Sequence, residues 1–117
     1  MEIENIKFKA KQLNSGKWFE GDLVRLGNRV CIGGDHIKDG ITDVDPSTVC
    51  MFTGLKDCDG KEIWEGDIVE REIYDLFNGS SKVKSVIEYM DGAFVAITDG
   101  IAYSLFFKYL KVFDKEK

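Results

Sequence analysis

The chain has 117 residues, of which 44% are hydrophobic and 32% are charged, and it carries a net charge of −5. This composition is typical of one ordinary globular domain and excludes a disordered chain. The acidic balance disfavours general nucleic-acid binding, because that activity needs clustered Lys and Arg. We therefore expect a single domain over residues 1–117.

The cysteines and the N-terminus indicate the compartment. The three cysteines, Cys31, Cys50 and Cys58, include no CxxC pair. An odd count of this kind fits free thiols in a reducing compartment better than a disulfide framework. Residues 1–5 are acidic and lack the apolar segment of a signal peptide. No apolar run approaches the roughly 18–20 residues of a membrane span. We expect a cytoplasmic protein without membrane contact.

The first half of the chain predicts short strands. Residues 6–11 alternate strictly between an apolar face and a basic face, which is the pattern of a half-buried strand. The two faces are Ile6, Phe8 and Ala10, and Lys7, Lys9 and Lys11. Further strands are predicted over residues 17–26, 29–32 and 48–52. Residues 33–46 are rich in Gly and Asp and are predicted to form a long loop.

The second half continues the same pattern. Asp-Gly dipeptides at residues 59–60, 91–92 and 99–100 predict tight turns. The strands between them are predicted over residues 62–73, 82–89 and 93–98, with a connection over residues 74–81. Residues 105–113 fit either a short helical turn capped by Ser104 or a closing strand. The predicted fold is mainly β, a small β-barrel-like or strongly curved antiparallel sheet with at most one or two short helical turns.

A short motif occurs twice. The sequence FEGDLV at residues 19–24 recurs as WEGDIV at residues 64–69. We expect an inward aromatic, a Gly able to take positive φ, and an Asp that accepts backbone N–H bonds before a strand begins. The predicted structural turn motif comprises Glu20, Gly21, Asp22, Glu65, Gly66 and Asp67.

The second copy lies within a longer segment that resembles a known family. Residues 52–69, FTGLKDCDGKEIWEGDIV, resemble the signature of the YopX family, and residues 6–10, 18–23 and 87–94 support the resemblance. The family comprises small proteins of bacteriophages and prophages. The resemblance implies a complex β-barrel-like fold. It supplies no established activity and no catalytic residues.

Residue types that could carry catalysis or bind metal are sparse. His36 is the only histidine and lies in the predicted loop. One His and three scattered Cys make a poor zinc site. The run Asp57-Cys58-Asp59-Gly60 shares half of a calcium loop but lacks the remaining ligands. No phosphate-binding glycine motif is present in the sequence. We predict no catalytic residues, no cofactor and no metal.

The leading hypothesis is a non-enzymatic interaction module of phage or prophage type that forms a homo-oligomer and binds a host or phage protein. Its predicted interaction surface combines aromatic and basic residues near the C-terminus. These residues are Phe106, Phe107, Lys108, Tyr109 and Lys111.

Two alternatives remain open. A nucleic-acid-binding small β-barrel would use a basic face, although the acidic charge disfavours it. Its lysines are Lys7, Lys9, Lys11, Lys82 and Lys84. A metal-dependent enzyme would instead use the carboxylates of the repeated motif. Those carboxylates are Glu20, Asp22, Glu65 and Asp67.

Overall fold

The computed structural model describes residues 3–77, 79–103 and 110–112. The chain forms two compact units, Met1–Phe52 and Thr53–Lys117. Both are built from antiparallel strands, which confirms the predicted mainly β fold. In these described ranges, helical structure is confined to 3-10 turns of three residues each. The turns are Ile3–Asn5, Lys38–Gly40 and Pro46–Thr48.

The first unit contains four whole strands and the start of a fifth. They are β1 (Phe8–Lys11), β2 (Trp18–Leu26), β3 (Arg29–Gly33), β4 (Ile41–Asp43) and β5 (Cys50–Lys56). Their order in the sheet is β4-β3-β2-β1-β5. The boundary between the units falls within β5, whose later residues belong to the second unit.

Alternation along β1 places one side of the strand in the core of the first unit. Ala10 is fully buried and Phe8 packs against the same cluster, whereas Lys11 is exposed. The buried cluster consists of Ala10, Ile32, Ile37 and Val44, with Phe8, Phe19, Val30 and Val49 packed on it. The predicted burial of this face is confirmed for Phe8 and Ala10, whereas Ile6, which precedes the strand, is 42% exposed.

The prediction of one long loop over residues 33–46 is wrong. β4 lies inside it and pairs with β3, with Thr42 opposite Ile32. A three-residue strand is too short to show alternation in the sequence, and it forms here because β3 offers a partner edge.

The second unit continues from β5 through six more strands. They are β6 (Glu62–Trp64), β7 (Ile68–Asp75), β8 (Gly79–Met90), β9 (Ala93–Thr98), β10 (Ile101–Tyr103) and β11 (Leu110–Val112). β6 is the neighbour of β5, and the other five form a sheet in the order β10-β9-β8-β7-β11. The core of this unit is a buried cluster of Ile63, Val69, Ile87 and Ala96.

Two of the predicted Asp-Gly turns have the geometry that hairpins require. Asp91 and Gly92 have φ of 51° and 85°, and Asp99 and Gly100 have φ of 52° and 79°. Positive φ at both central residues is the signature of a type I′ turn, whose twist matches the flanking strands. β8, β9 and β10 are therefore joined as a meander, as the dipeptides predicted.

The strand orders distinguish the two predicted forms of the fold, a small barrel and a strongly curved antiparallel sheet. Both orders are linear, so neither sheet closes into a barrel among the described residues. The strand predicted over residues 62–73 is interrupted by a turn at residues 65–67.

Candidate functional site

The longest element of the second unit is the hairpin of β7 and β8. Its register runs from Ile68 opposite Val86 to Asp75 opposite Gly79. The loop is therefore three residues long, and Gly79 has φ of 74°. Gly79 is the first residue of β8, and a positive φ is unstrained for glycine where a short hairpin loop meets the following strand. The connection predicted over residues 74–81 is thus mostly strand.

Large apolar side chains cluster at the end of this hairpin. Tyr74 is 75% exposed, Leu76 is 86% exposed and Phe77 is 93% exposed. We call these three residues the hairpin tip. Isolated exposed apolar residues are normal, whereas three within four positions at one end of a hairpin make a candidate contact surface. Sequence reasoning missed this surface, although an apolar pair directly before Asn78-Gly79 was a visible signal.

The stem below the tip carries paired charges. Glu70 lies opposite Lys84, and Glu72 lies opposite Lys82. Opposite charges on facing positions of an antiparallel pair are favourable neighbours. Two of the five lysines of the predicted basic face therefore lie beside glutamates.

The predicted C-terminal surface falls largely outside the described part of the chain. This applies to Phe106, Phe107, Lys108 and Tyr109. Lys111 is described: it is exposed on β11, and its Nζ lies 3.8 Å from Oδ2 of Asp59.

The other three lysines of the predicted basic face lie in the first unit. The ammonium groups of Lys9 and Lys11 lie 5.0 and 5.4 Å from the ring centroid of Trp18, which is 43% exposed. We call Lys9, Lys11 and Trp18 the lysine–tryptophan patch. Lys7 lies 4.9 Å from the ring centroid of Phe52 and 3.5 Å from Oε1 of Glu20.

The two copies of the Glu-Gly-Asp motif have different structures. Glu65 and Gly66 form a turn in which Gly66 has φ of 89°, and the N–H of Asp67 donates to the carbonyl of Trp64 at 3.0 Å. Oδ2 of Asp67 accepts from the N–H of Trp64 at 2.8 Å. This copy has the glycine and aspartate geometry that the sequence predicted.

The first copy is continuous strand. Glu20, Gly21 and Asp22 lie inside β2, with Gly21 opposite Phe8. Gly21 is required for another reason, because a Cβ there would lie 2.2 Å from the carbonyl oxygen of Gly33 on β3. Both motif aromatics nevertheless turn inward: Phe19 packs on the core of the first unit, and Trp64 is only 4% exposed.

A scan against family models matches residues 3–113 to the family described as YopX protein. The chain belongs to the YopX family. The resemblance first seen at residues 52–69 is confirmed and extends over nearly the whole sequence. No curated protein matches the chain.

Within the segment typical of the YopX family, Asp57 is a structural carboxylate. It is 7% exposed, and its Oδ1 accepts the N–H groups of Asp59 and Lys61, both at 2.8 Å. Its Oδ2 accepts the N–H of Val112 on β11 at 2.8 Å. Both oxygens are therefore engaged by the backbone, which identifies the Asp57-Cys58-Asp59-Gly60 run as a turn that anchors β11.

The carboxylates considered for a metal enzyme are divided between the two units. Glu20 and Asp22 belong to the first unit, and Glu65 and Asp67 belong to the second. Across residues 3–77, 79–103 and 110–112, no group of three or more His, Cys, Asp or Glu side chains could hold a metal ion.

No helix within those ranges is long and apolar enough to cross a membrane.

Two of the side chains considered for catalysis or metal binding, His36 and Cys31, make hydrogen bonds within the first unit. Nε2 of His36 donates to the backbone carbonyl oxygen of Glu20 at 2.6 Å. Sγ of Cys31 donates to Oδ1 of Asp43 at 3.1 Å, and Arg29 binds the same oxygen. Burial, followed by the contact with Asp43, raises the pKa of the Cys31 thiol. A raised pKa disfavours the thiolate that a nucleophilic cysteine needs.

A polar cluster that the sequence did not reveal crosses four strands of the second sheet. Arg71 is 3% exposed, and its Nε donates to Oγ of Ser85 at 3.0 Å. Its Nη2 donates to Oγ1 of Thr98 at 3.2 Å, and its guanidinium carbon lies 4.1 Å from the ring centroid of Tyr103. Ser85 and Thr98 also hydrogen-bond to each other. The cluster ties β7 to β8, β9 and β10.

Proposed function

We propose that this YopX-family protein is a cytoplasmic, non-enzymatic interaction module of phage or prophage origin, and that it self-associates through the hairpin tip. The observation that carries the proposal is the exposure of Leu76 and Phe77, at 86% and 93%. The non-enzymatic role is supported by the local engagement of Asp57, Cys31 and His36. We further propose that the 117 residues function as one domain.

The apolar side chains buried at the hairpin tip determine the expected free energy of association. Fully burying one large apolar side chain is worth about 1.5–3 kcal/mol. A two-fold interface uses the same surface on both copies, so the three tip side chains contribute twice, for about 9–18 kcal/mol. Association itself costs about 4–15 kcal/mol. The apolar gain and the association cost are of similar size, so we expect a weak, reversible dimer rather than a permanent one.

The charges of the stem favour a second copy as the partner. Glu70 and Glu72 face Lys84 and Lys82 across the strands. These four charges sum to zero, although the whole chain carries −5. Two identical stems therefore approach each other with less repulsion than two other acidic surfaces, because like charges at an interface are unfavourable.

Sedimentation velocity over a wide range of protein concentrations tests the proposal. We expect a reversible monomer–dimer equilibrium that the double substitution Leu76→Ser and Phe77→Ser weakens at least about 30-fold, which corresponds to the roughly 2 kcal/mol of an interface hot spot. Ile3→Ser is the matched control, because Ile3 is an 81% exposed aliphatic residue outside the hairpin.

Two results would reject self-association at the tip. One is an unaltered protein that sediments as a monomer at every concentration. The other is an Ile3→Ser protein whose dimer is weakened as much as that of the tip variant, because this would show a general loss of surface hydrophobicity rather than a specific interface.

A further inference from the structure

The lysine–tryptophan patch presents an aromatic ring and two cationic groups on one face of the first sheet. Lys11 lies directly opposite Trp18 in the register of β1 and β2. Lys9 lies two residues before Lys11 and therefore points to the same face. The intervening residue, Ala10, is fully buried on the other face. The strand thus fixes which side of the sheet the patch occupies.

The exposure of Trp18 distinguishes this ring from its neighbours. Trp18 is 43% exposed, whereas Phe52, the ring beneath Lys7, is 5% exposed. Phe19, the next residue along β2, packs on the core instead. An indole on an open sheet surface leaves apolar area in water, and that area is available to stack against a flat ligand.

We propose that the lysine–tryptophan patch is a binding site for single-stranded nucleic acid. A nucleotide combines a flat base, which stacks on an aromatic ring, with a phosphate, which attracts an ammonium group. Single-strand binding surfaces combine these same two elements and tolerate many sequences. In a duplex the bases are stacked on one another, so Trp18 reaches a base only in an unpaired strand.

The site uses residues other than those of the proposed self-association. It lies in the first unit, on β1 and β2, whereas the hairpin tip belongs to β7 and β8 of the second. Loss of one activity therefore leaves the other to be measured.

Nearby acids set the strength of binding. Glu20 lies opposite Lys9 in the register, and its Oε1 lies 3.5 Å from Nζ of Lys7. The chain as a whole is acidic. We therefore expect weak binding that is strongest at low salt. Neutralising two phosphates of a single strand gives a slope of about −1.4 in log K against log salt. Removing the negative charge by Glu20→Gln should strengthen binding.

Fluorescence anisotropy of a labelled oligo-deoxythymidine measures binding, and quenching of intrinsic tryptophan fluorescence locates it. The protein has two tryptophans, and Trp64 is only 4% exposed, so quenching reports on Trp18. Trp18→Ala should weaken binding about fivefold to 150-fold, the range for loss of one stacked base. Trp18→Phe should retain most of the affinity. Lys9→Gln with Lys11→Gln should abolish most of the salt dependence.

The matched control is Lys82→Gln with Lys84→Gln. It removes the same charge from the second unit, where the two lysines face Glu72 and Glu70. We expect it to leave the affinity unchanged. The proposal is overturned if oligo-deoxythymidine does not bind at low salt, if Trp18→Ala binds as well as the parent, or if the control loses as much affinity as the Lys9 and Lys11 variant. Equal binding of double-stranded DNA or of poly-glutamate would overturn it as well.

Discussion

The carboxylate of Asp57 is predicted to be the main polar contribution to the stability of the second unit. Its two oxygens accept three backbone N–H groups, and it is 7% exposed. Asp57→Asn keeps one carbonyl oxygen for the turn at Asp59 and Lys61, but places an amide N–H₂ against the N–H of Val112. A hydrogen bond to a charged group is worth about 1.5–3 kcal/mol, and the two remaining bonds lose their ionic character.

We therefore expect Asp57→Asn to lower the free energy of unfolding by about 2–4 kcal/mol. Urea denaturation followed by tryptophan fluorescence measures the change, and hydrogen exchange should show faster exchange at the Val112 amide. Asp59→Asn is the control, because the Asp59 carboxylate is exposed and its 3.8 Å contact with Lys111 is a surface ion pair. It should change stability by less than about 0.5 kcal/mol. An equally small effect of Asp57→Asn would refute the assigned role.

Three further predictions follow from single groups. Burial by itself raises the pKa of the Asp57 carboxyl, but the backbone N–H groups of Val112, Lys61 and Asp59 outweigh it and hold the pKa below its ordinary value. The stabilisation from this carboxylate should therefore be lost as the pH falls below about 4. Acid denaturation followed by circular dichroism should show a less steep loss in Asp57→Asn. Gly21→Ala should cost about 1–3 kcal/mol in urea denaturation, because its Cβ would meet the Gly33 carbonyl oxygen at 2.2 Å. Exposed Cys58 should react with a thiol reagent in the native protein, and buried Cys31 only on unfolding.

Some of the fold could be predicted because neighbouring residues in the sequence determine the local structure. The alternation through Lys9, Ala10 and Lys11 leaves only one assignment of faces, and the structure confirms it. The dipeptides at residues 91–92 and 99–100 also specify their turns, because Asp and Gly tolerate positive φ. These features depend on the backbone and on near neighbours.

Other features depend on partners distant in sequence. Trp18 and Phe19 are adjacent in a strand and must face opposite sides, but the sequence does not say which one enters the core. The structure packs a partly buried Phe19 on the core and exposes Trp18 beside Lys9 and Lys11. Similarly, β4 forms only because β3 supplies an edge.

The structure of the repeated motif also depends on partners distant in sequence. Identical Glu-Gly-Asp triplets become a turn at Gly66 and a strand at Gly21. The second copy turns where the Asp67 carboxylate bonds the Trp64 backbone, whereas the first copy pairs with strands on both sides. The hairpin tip was missed because Leu76 and Phe77 lie in a connection, where apolar residues carry no periodic signal.

A dilution series of amide NMR spectra on uniformly labelled protein tests self-association at the hairpin tip most directly. The tip model predicts that, as concentration rises, signals from residues 73–77 and from Gly79 shift together along one binding curve while those of Ile3 and Leu13 stay fixed. Spectra that do not change with concentration, or shifts confined to the first unit, would contradict it.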